Sequence, residues 1–163
     1  MKVSVSFTDD QLKALLWESN LIEGIDKPIT EKQIEASRYI IETQQVGVAD
    51  LSNWVLLFQP DGLLRDQYKM NVRVGVHIPP GGGPHITSRL ESLMIQMRRG
   101  RASAYKCHID YLNLHPFMDG NGRSGRILLL WQAWHHEPKL FMDALQNGLL
   151  HTWYMETMRQ NSR

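Results

Sequence analysis

Between residues 115 and 126 the chain concentrates the groups that chemistry on a phosphate requires: His115-Pro116-Phe117-Met118-Asp119-Gly120-Asn121-Gly122-Arg123-Ser124-Gly125-Arg126. Gly120 and Gly122 flank Asn121 where a helix is due to begin. Free backbone N–H groups and the positive end of a helix dipole therefore meet in the loop, and such a terminus binds anions. Arg123 and Arg126 stand three apart on one face of the first turns, where the dipole disfavours positive charge. A negative ligand between them, a polyphosphate, makes that placement favourable. Asp119 sets one carboxylate beside this ligand, which is how magnesium is commonly held, by one or two acids together with phosphate oxygens. His115, at the loop entrance, has an ordinary pKa of about 6.5 and can take a proton from an attacking hydroxyl near neutral pH. Phe117 is assigned to the core as the anchor of the loop. Singly, each feature has a plainer reading: Gly-Asn-Gly as a turn, the arginines as a solvated face, a histidine before proline as a helix end. Their convergence in one short run points to phosphoryl or nucleotidyl transfer.

The elements that must position this run are helical. Thr8 with Gln11 has capping-box spacing and Phe7 with Leu12 forms a hydrophobic staple, so a helix begins at Thr8 and stops near Gly24. Thr30 with Gln33, and Ile29 with Ile34, repeat the pattern for a second helix that carries Ile40 and Ile41 and is predicted to end near Gly47. Asp50 to Phe58 reads as a third helix, closed by the turn residues Gln59, Pro60, Asp61 and Gly62. Ser88 with Glu91 predicts the next, with Leu90, Leu93, Met94 and Met97 behind it. After Gly100 a stripe from Ala102 through Tyr105, His108, Ile109 and Leu112 stops at His115, because Pro116 disfavours helical geometry in its predecessor. Arg126 to Trp134 is helical, Pro138 suits the first turn of another helix, and a last amphipathic segment runs from Gly148 to near Met158. The single strand signal is the alternation of Val72, Val74, Val76 and Ile78 with Arg73, Gly75 and His77, which predicts a small hairpin flap ending in prolines and glycines. His135 and His136 point about 100° apart and are read as a solvated helix end rather than a metal pair.

Composition bounds the rest. With 163 residues, 42% hydrophobic and 21% charged, the chain has the size and apolar content of one compact domain. Eighteen Lys and Arg against seventeen Asp and Glu give a net charge of +1. That balance gives no broad attraction to nucleic acid or membrane surfaces. A single cysteine, Cys107, favours a reducing compartment, and Met1 to Phe7 lacks the apolar core of an export signal, so a cytoplasmic protein is expected.

The run from His115 to Arg126 resembles the signature of the Fic (filamentation induced by cAMP) domain family, His-x-Phe-x-Asp/Glu-Gly-Asn-Gly-Arg-x-x-Arg, at every fixed position. Gly62 and Arg65 ahead of the Val-Gly-Val ribbon resemble that family's flap region, and Ala104, His108 and Leu112 the helix before its motif. The resemblance spans roughly residues 19 to 130. It implies an all-α fold, a compact helical core with one small β-hairpin flap, and transfer of AMP from ATP to a Ser, Thr or Tyr hydroxyl of a target protein, itself included. It further implies His115 as the base, Asp119 as the holder of magnesium bridging the α and β phosphates, Gly120, Asn121 and Gly122 as the anion loop, and Arg123 and Arg126 as grips on the β and γ phosphates. Val74, Gly75, Val76 and His77 would dock the target segment by strand addition.

Ser19-Asn20-Leu21-Ile22-Glu23-Gly24 matches the family's inhibitory pattern Ser/Thr-x-x-x-Glu-Gly/Asn. At about 100° per residue, Leu12, Leu15, Leu16, Ser19 and Glu23 share one helix face, so the carboxylate points towards the core and needs a cation. The arginine cluster supplies one, in competition with γ-phosphate. The domain is then residues 1–163, with the inhibitory helix in 1–26, the flap in 68–86 and the catalytic loop in 115–126. An enzyme that removes AMP or moves another phosphate-containing group is the nearest alternative, and a non-catalytic nucleotide-sensing module is the alternative of another class. Intact His115 argues against the latter. Target, nucleotide selectivity and oligomeric state are not legible.

Overall fold

Local capping sets where the first helices start. In this computed structural model, which describes residues 6–150 and 152–161, Gln11 N donates to Thr8 Oγ1 and Thr8 N to Gln11 Oε1 at 3.1 and 2.8 Å, and α1 runs Asp9–Ile22. Thr30 and Gln33 exchange the same pair of bonds ahead of α2, Glu31–Glu42. Residues 1–5, which bear most of the export-signal reading, lie outside the described residues.

The elements that follow are α3 (Val48–Phe58), α4 (Pro84–Arg99), α5 (Ala104–Leu114), α6 (Asn121–His136), α7 (Pro138–Asn147) and α8 (Thr152–Asn161). The architecture is all-α. Helix α6 is its axis: it packs against α1 to α5 and α7, and Arg126 to Trp131 are buried without a break. A helix apolar all round belongs in the interior, surrounded by partners that bury one stripe each. Leu12 and Leu16 from α1, Ile40 and Ile41 from α2, Trp54 from α3, Leu90 from α4 and Phe117 from the loop complete the core. Among the described residues no helix is long and apolar enough to cross a membrane.

Five expectations are corrected. Helix α2 ends at Glu42, not near Gly47, because the Thr43 carbonyl is drawn off to Trp131 Nε1 at 2.8 Å and His135 Nε2 at 2.9 Å on α6. Gly47 instead caps α3, its N–H donating to Asp50 Oδ2 at 2.9 Å, so α3 starts before Asp50. Helix α4 starts at Pro84, whose fixed φ suits the first turn, and the Ser88 box lies unused inside it. The flap as bounded at 68–86 therefore overlaps a helix. No ladder forms there among the described residues: Val74 and His77 make one antiparallel bridge around Gly75 (φ +60) and Val76. Val76 is 94% and Ile78 72% exposed, so the alternation has no sheet face to bury. Strand-like pairing occurs instead where no alternation signalled it, with Arg65 N donating to Pro116 O and Met118 N to Leu63 O. His135 and His136 are also not merely solvated, since His136 Nε2 donates to Arg98 O at 2.7 Å.

Candidate active site

The loop between α5 and α6 is held rigid by its own side chains. Asn121 clamps it from both sides, with Phe117 N donating to Oδ1 at 2.9 Å and Nδ2 donating to Phe117 O at 2.7 Å. Phe117 is fully buried, the anchor its position in the sequence suggested. Ser124 Oγ donates to Gly120 O at 2.8 Å and takes the Tyr111 hydroxyl as its donor at 2.5 Å. Gly120 takes φ +84, a left-handed turn that glycine adopts without strain. Gly62 packs against the same loop, where a Cβ would stand 2.9 Å from the Asp119 carbonyl.

Arg65 ties this loop to the base of the flap. It is fully buried, and its guanidinium donates to four carbonyls: His115 O at 2.7 Å, Leu114 O at 2.9 Å, Pro80 O at 2.8 Å and Met70 O at 3.1 Å. Only the fork of an arginine reaches so many acceptors at once. Sequence reasoning noticed Arg65 but found no work for it, because its partners are up to fifty residues away.

His115 adopts a left-handed backbone, φ 52, at the end of α5. Its Nδ1 lies 3.3 Å from Leu112 O. A carbonyl can only accept, so Nδ1 carries the ring hydrogen and Nε2 keeps its lone pair. Burial lowers the imidazole pKa, with Arg65 and His77 acting the same way and the Leu112 bond and Asp119 opposing. The ring is thus kept in its basic form.

His115, Asp119, Gly120 to Gly122 and Arg123 line one cleft of about 530 Å³, together with Glu23, Gln59 and Val72 to Val74. That is within the range of small-molecule sites. Asp119 accepts the Gly120 N–H on Oδ1 at 2.7 Å and is itself part of the cleft lining. Among the described residues no group of three or more His, Cys, Asp and Glu gathers into a metal cage. A lone loop carboxylate of this kind fits magnesium whose other ligands are phosphate oxygens and water.

The two arginines do not face one ligand as a bare pair. Arg123 donates from Nη1 to Phe58 O at 3.1 Å and from Nη2 to Gln59 Oε1 at 2.9 Å, while its buried Nε has no hydrogen-bond partner among the described residues. Burial lowers its pKa and Asp119 and Glu23 oppose the shift. Arg126 turns to α1: Nε donates to Ser19 Oγ at 2.7 Å, and Nη2 donates to Ser19 O at 2.9 Å and Glu23 Oε1 at 2.7 Å. Glu23 therefore finds its cation, but not by burial in the core. It sits just past the end of α1, its side chain 38% exposed. The carboxylate lies over Gly122, where any Cβ would collide with it. Of the flap residues, Val74 lines the cleft and His77 Nε2 docks on Asn113 O at 3.2 Å, while Gly75 and Val76 form the exposed turn.

The chain is thus a helical protein whose central helix opens on a glycine-flanked loop, with a histidine at its mouth and arginines on its first turns. The model of the Fic/DOC family matches residues 36–133, and the chain belongs to that family. Ser19 to Gly24 lie outside the matched residues. Among proteins similar to it, the protein adenylyltransferases Fic of Drosophila ananassae and Drosophila melanogaster are 29% and 30% identical over 126 residues, covering 69% of this chain and 24% of theirs. That of Aedes aegypti is 36% identical over 67 residues, 37% of this chain and 13% of its own. The chain thus spans about a quarter or less of the curated relatives it matches. No solved structure matches it significantly.

Proposed function

We propose that the domain is a protein adenylyltransferase that moves AMP from ATP to a Ser, Thr or Tyr hydroxyl, and that Glu23 holds it in check. The observation that carries this reading is the tautomer of His115, whose open Nε2 belongs to the ring that lines the same cleft as the Gly120 to Gly122 loop. His115 Nε2 takes the proton of the acceptor hydroxyl. The freed oxygen bonds to the α-phosphorus, and the bond from that phosphorus to the oxygen leading to the β-phosphate breaks. Pyrophosphate leaves with that oxygen, and AMP stays on the acceptor as an ester. Backbone N–H groups of the loop and Arg123 stabilise the charge that develops on the phosphates. Asp119 would hold magnesium, which when bound neutralises phosphate charge. The names of the relatives and the family membership support this reading.

The target segment would lie along Val74 to His77, whose apolar side chains are open. Mass spectrometry after incubation with magnesium and ATP tests the reaction: an added AMP on a hydroxyl residue, of this chain or of a cell lysate, is expected, and chelation of magnesium should remove it. Labelled GTP, UTP and CTP run in parallel should leave less label. Release of AMP from a premodified target without any addition would instead place the domain on the hydrolytic side.

A further inference from the structure

Arg123 gives two hydrogen bonds to the end of α3. It is 4% exposed, Nη1 donates to Phe58 O at 3.1 Å and Nη2 to Gln59 Oε1 at 2.9 Å, and its buried Nε meets no partner among the described residues. Arg123 therefore acts on the cleft more by its charge than by its surface.

Gln59, which takes one of those bonds, lines the same cleft as His115, Asp119 and the Gly120 to Gly122 loop. A guanidinium can only donate, so the carboxamide must turn its oxygen to Arg123. The NH2 end, with two hydrogens, is left on the other side of the amide. Its Nε2 makes no hydrogen bond among the described residues, and unlike Arg123 Nε it is not a buried atom. The backbone fixes where this donor stands. Gln59 N donates to Val55 O at 2.8 Å, and Gln59 O accepts the Gly62 N–H at 2.9 Å. A Cβ on Gly120 would lie 3.6 Å from that of Gln59, so the side chain starts against the residue that opens α6.

We propose that Gln59 is a nucleotide-binding residue: with its oxygen held by Arg123, its carboxamide gives an Nε2 hydrogen to a phosphate oxygen beyond the α-phosphate. The inference rests on the reading of the cleft as the ATP site and of Arg123 as the grip on the β-phosphate. An amide whose oxygen accepts from a cation is polarised, and its N–H groups donate more strongly. Gln59 thus offers the cleft a donor whose acceptor end is already occupied. The contrast with Arg126 is direct. The acceptor on Arg126 is the Glu23 carboxylate, an anion that a phosphate must displace, whereas the acceptor on Arg123 is neutral and can stay in place beside the ligand.

Calorimetric titration of ADP and of AMP, with magnesium, into Glu23→Gly, Glu23→Gly/Gln59→Met and Glu23→Gly/Arg123→Ala tests this. Gln59→Met keeps the length of the side chain and removes the amide. It should weaken ADP by about tenfold, the worth of a hydrogen bond to a charged group, and leave AMP nearly unchanged. If Arg123→Ala separates ADP from AMP and Gln59→Met does not, Gln59 gives the phosphate nothing, and the reading of the cleft stands. Equal losses for ADP and AMP overturn the inference as well, since Gln59 then acts through the shape of the loop. If Arg123→Ala itself fails to separate them, the reading of Arg123 falls and this inference with it. Gln59→Glu in the same background distinguishes donating from holding, because it keeps an oxygen for Arg123 and has no hydrogen to give. ADP bound by it as tightly as by Glu23→Gly would mean that Gln59 only holds Arg123, and the proposal fails. Should the variants not fold, proton NMR of the Gln59 side-chain amide in the Glu23→Gly protein decides: ADP should shift its signals and AMP should not, and signals that ADP leaves in place overturn the proposal.

Discussion

The Glu23 carboxylate stands 2.7 Å from Arg126 Nη2 and lies over the Cα of Gly122, so one side chain from the end of α1 engages both an arginine and the loop that would receive phosphate. Arg126 is deeply buried while Glu23 is more than one third exposed, so the arginine depends on the pair more than the carboxylate does.

Glu23→Gly is therefore expected to raise the rate of AMP transfer by roughly tenfold or more, the worth of a charge-assisted contact. Melting without nucleotide should occur at a lower temperature than in wild type, and ATP should raise it further in the mutant. Transfer assays and thermal melts on both proteins check this. An unchanged rate on every target would leave α1 a structural helix.

His115→Ala should abolish transfer in the Glu23→Gly background with ATP affinity nearly intact, because the imidazole acts on the acceptor and not on the phosphates. Burial lowers its pKa, so the basic form persists below the ordinary histidine range of about 6.5. The acid limb of the rate profile should lie under that value. A limb above it would mean that a different group titrates.

Arg65→Ala should destabilise the fold by more than ~3 kcal/mol in urea titrations, since four carbonyls lose their donor at once. Arg65→Lys keeps the charge but not the fork, and should recover only part of the loss.

His108 predicts a pH dependence of stability. Its folded pKa is lowered to about 4 against about 6.5 unfolded, so in that interval the unfolded chain binds more protons. Stability is full above pH 6.5 and declines as pH falls towards 4, by up to ~3 kcal/mol from this group. Urea titrations at pH 7.5 and pH 5 should show the drop, and His108→Gln should flatten it.

The starts of α1 and α2 were legible because a cap is a contact between residues three apart, Thr8 with Gln11 and Thr30 with Gln33, whereas the same spacing at Ser88 and Glu91 falls inside α4. The loop from His115 to Arg126 was legible for the same reason, since Asn121 clamps Phe117 four residues away and the glycines act through their own backbone. Ends were less legible. Gly47 reads locally as a stop, but Trp131 and His135 take the Thr43 carbonyl first, from 88 and 92 residues away.

The amino-acid sequence by itself determined the helical class, the caps of α1 and α2 and the anchoring of the loop by Phe117, which depend on interactions within a few residues. Tertiary structure alone decided which partner each buried charge meets. Arg126 faces Ser19 across 107 residues of chain, Arg65 spans the flap base and the loop, and Tyr154 closes on His108 across 46. It also left the Val72 to Ile78 alternation without a ladder, because period-two patterning stabilises a strand only when a neighbouring surface covers one face, and here solvent covers both.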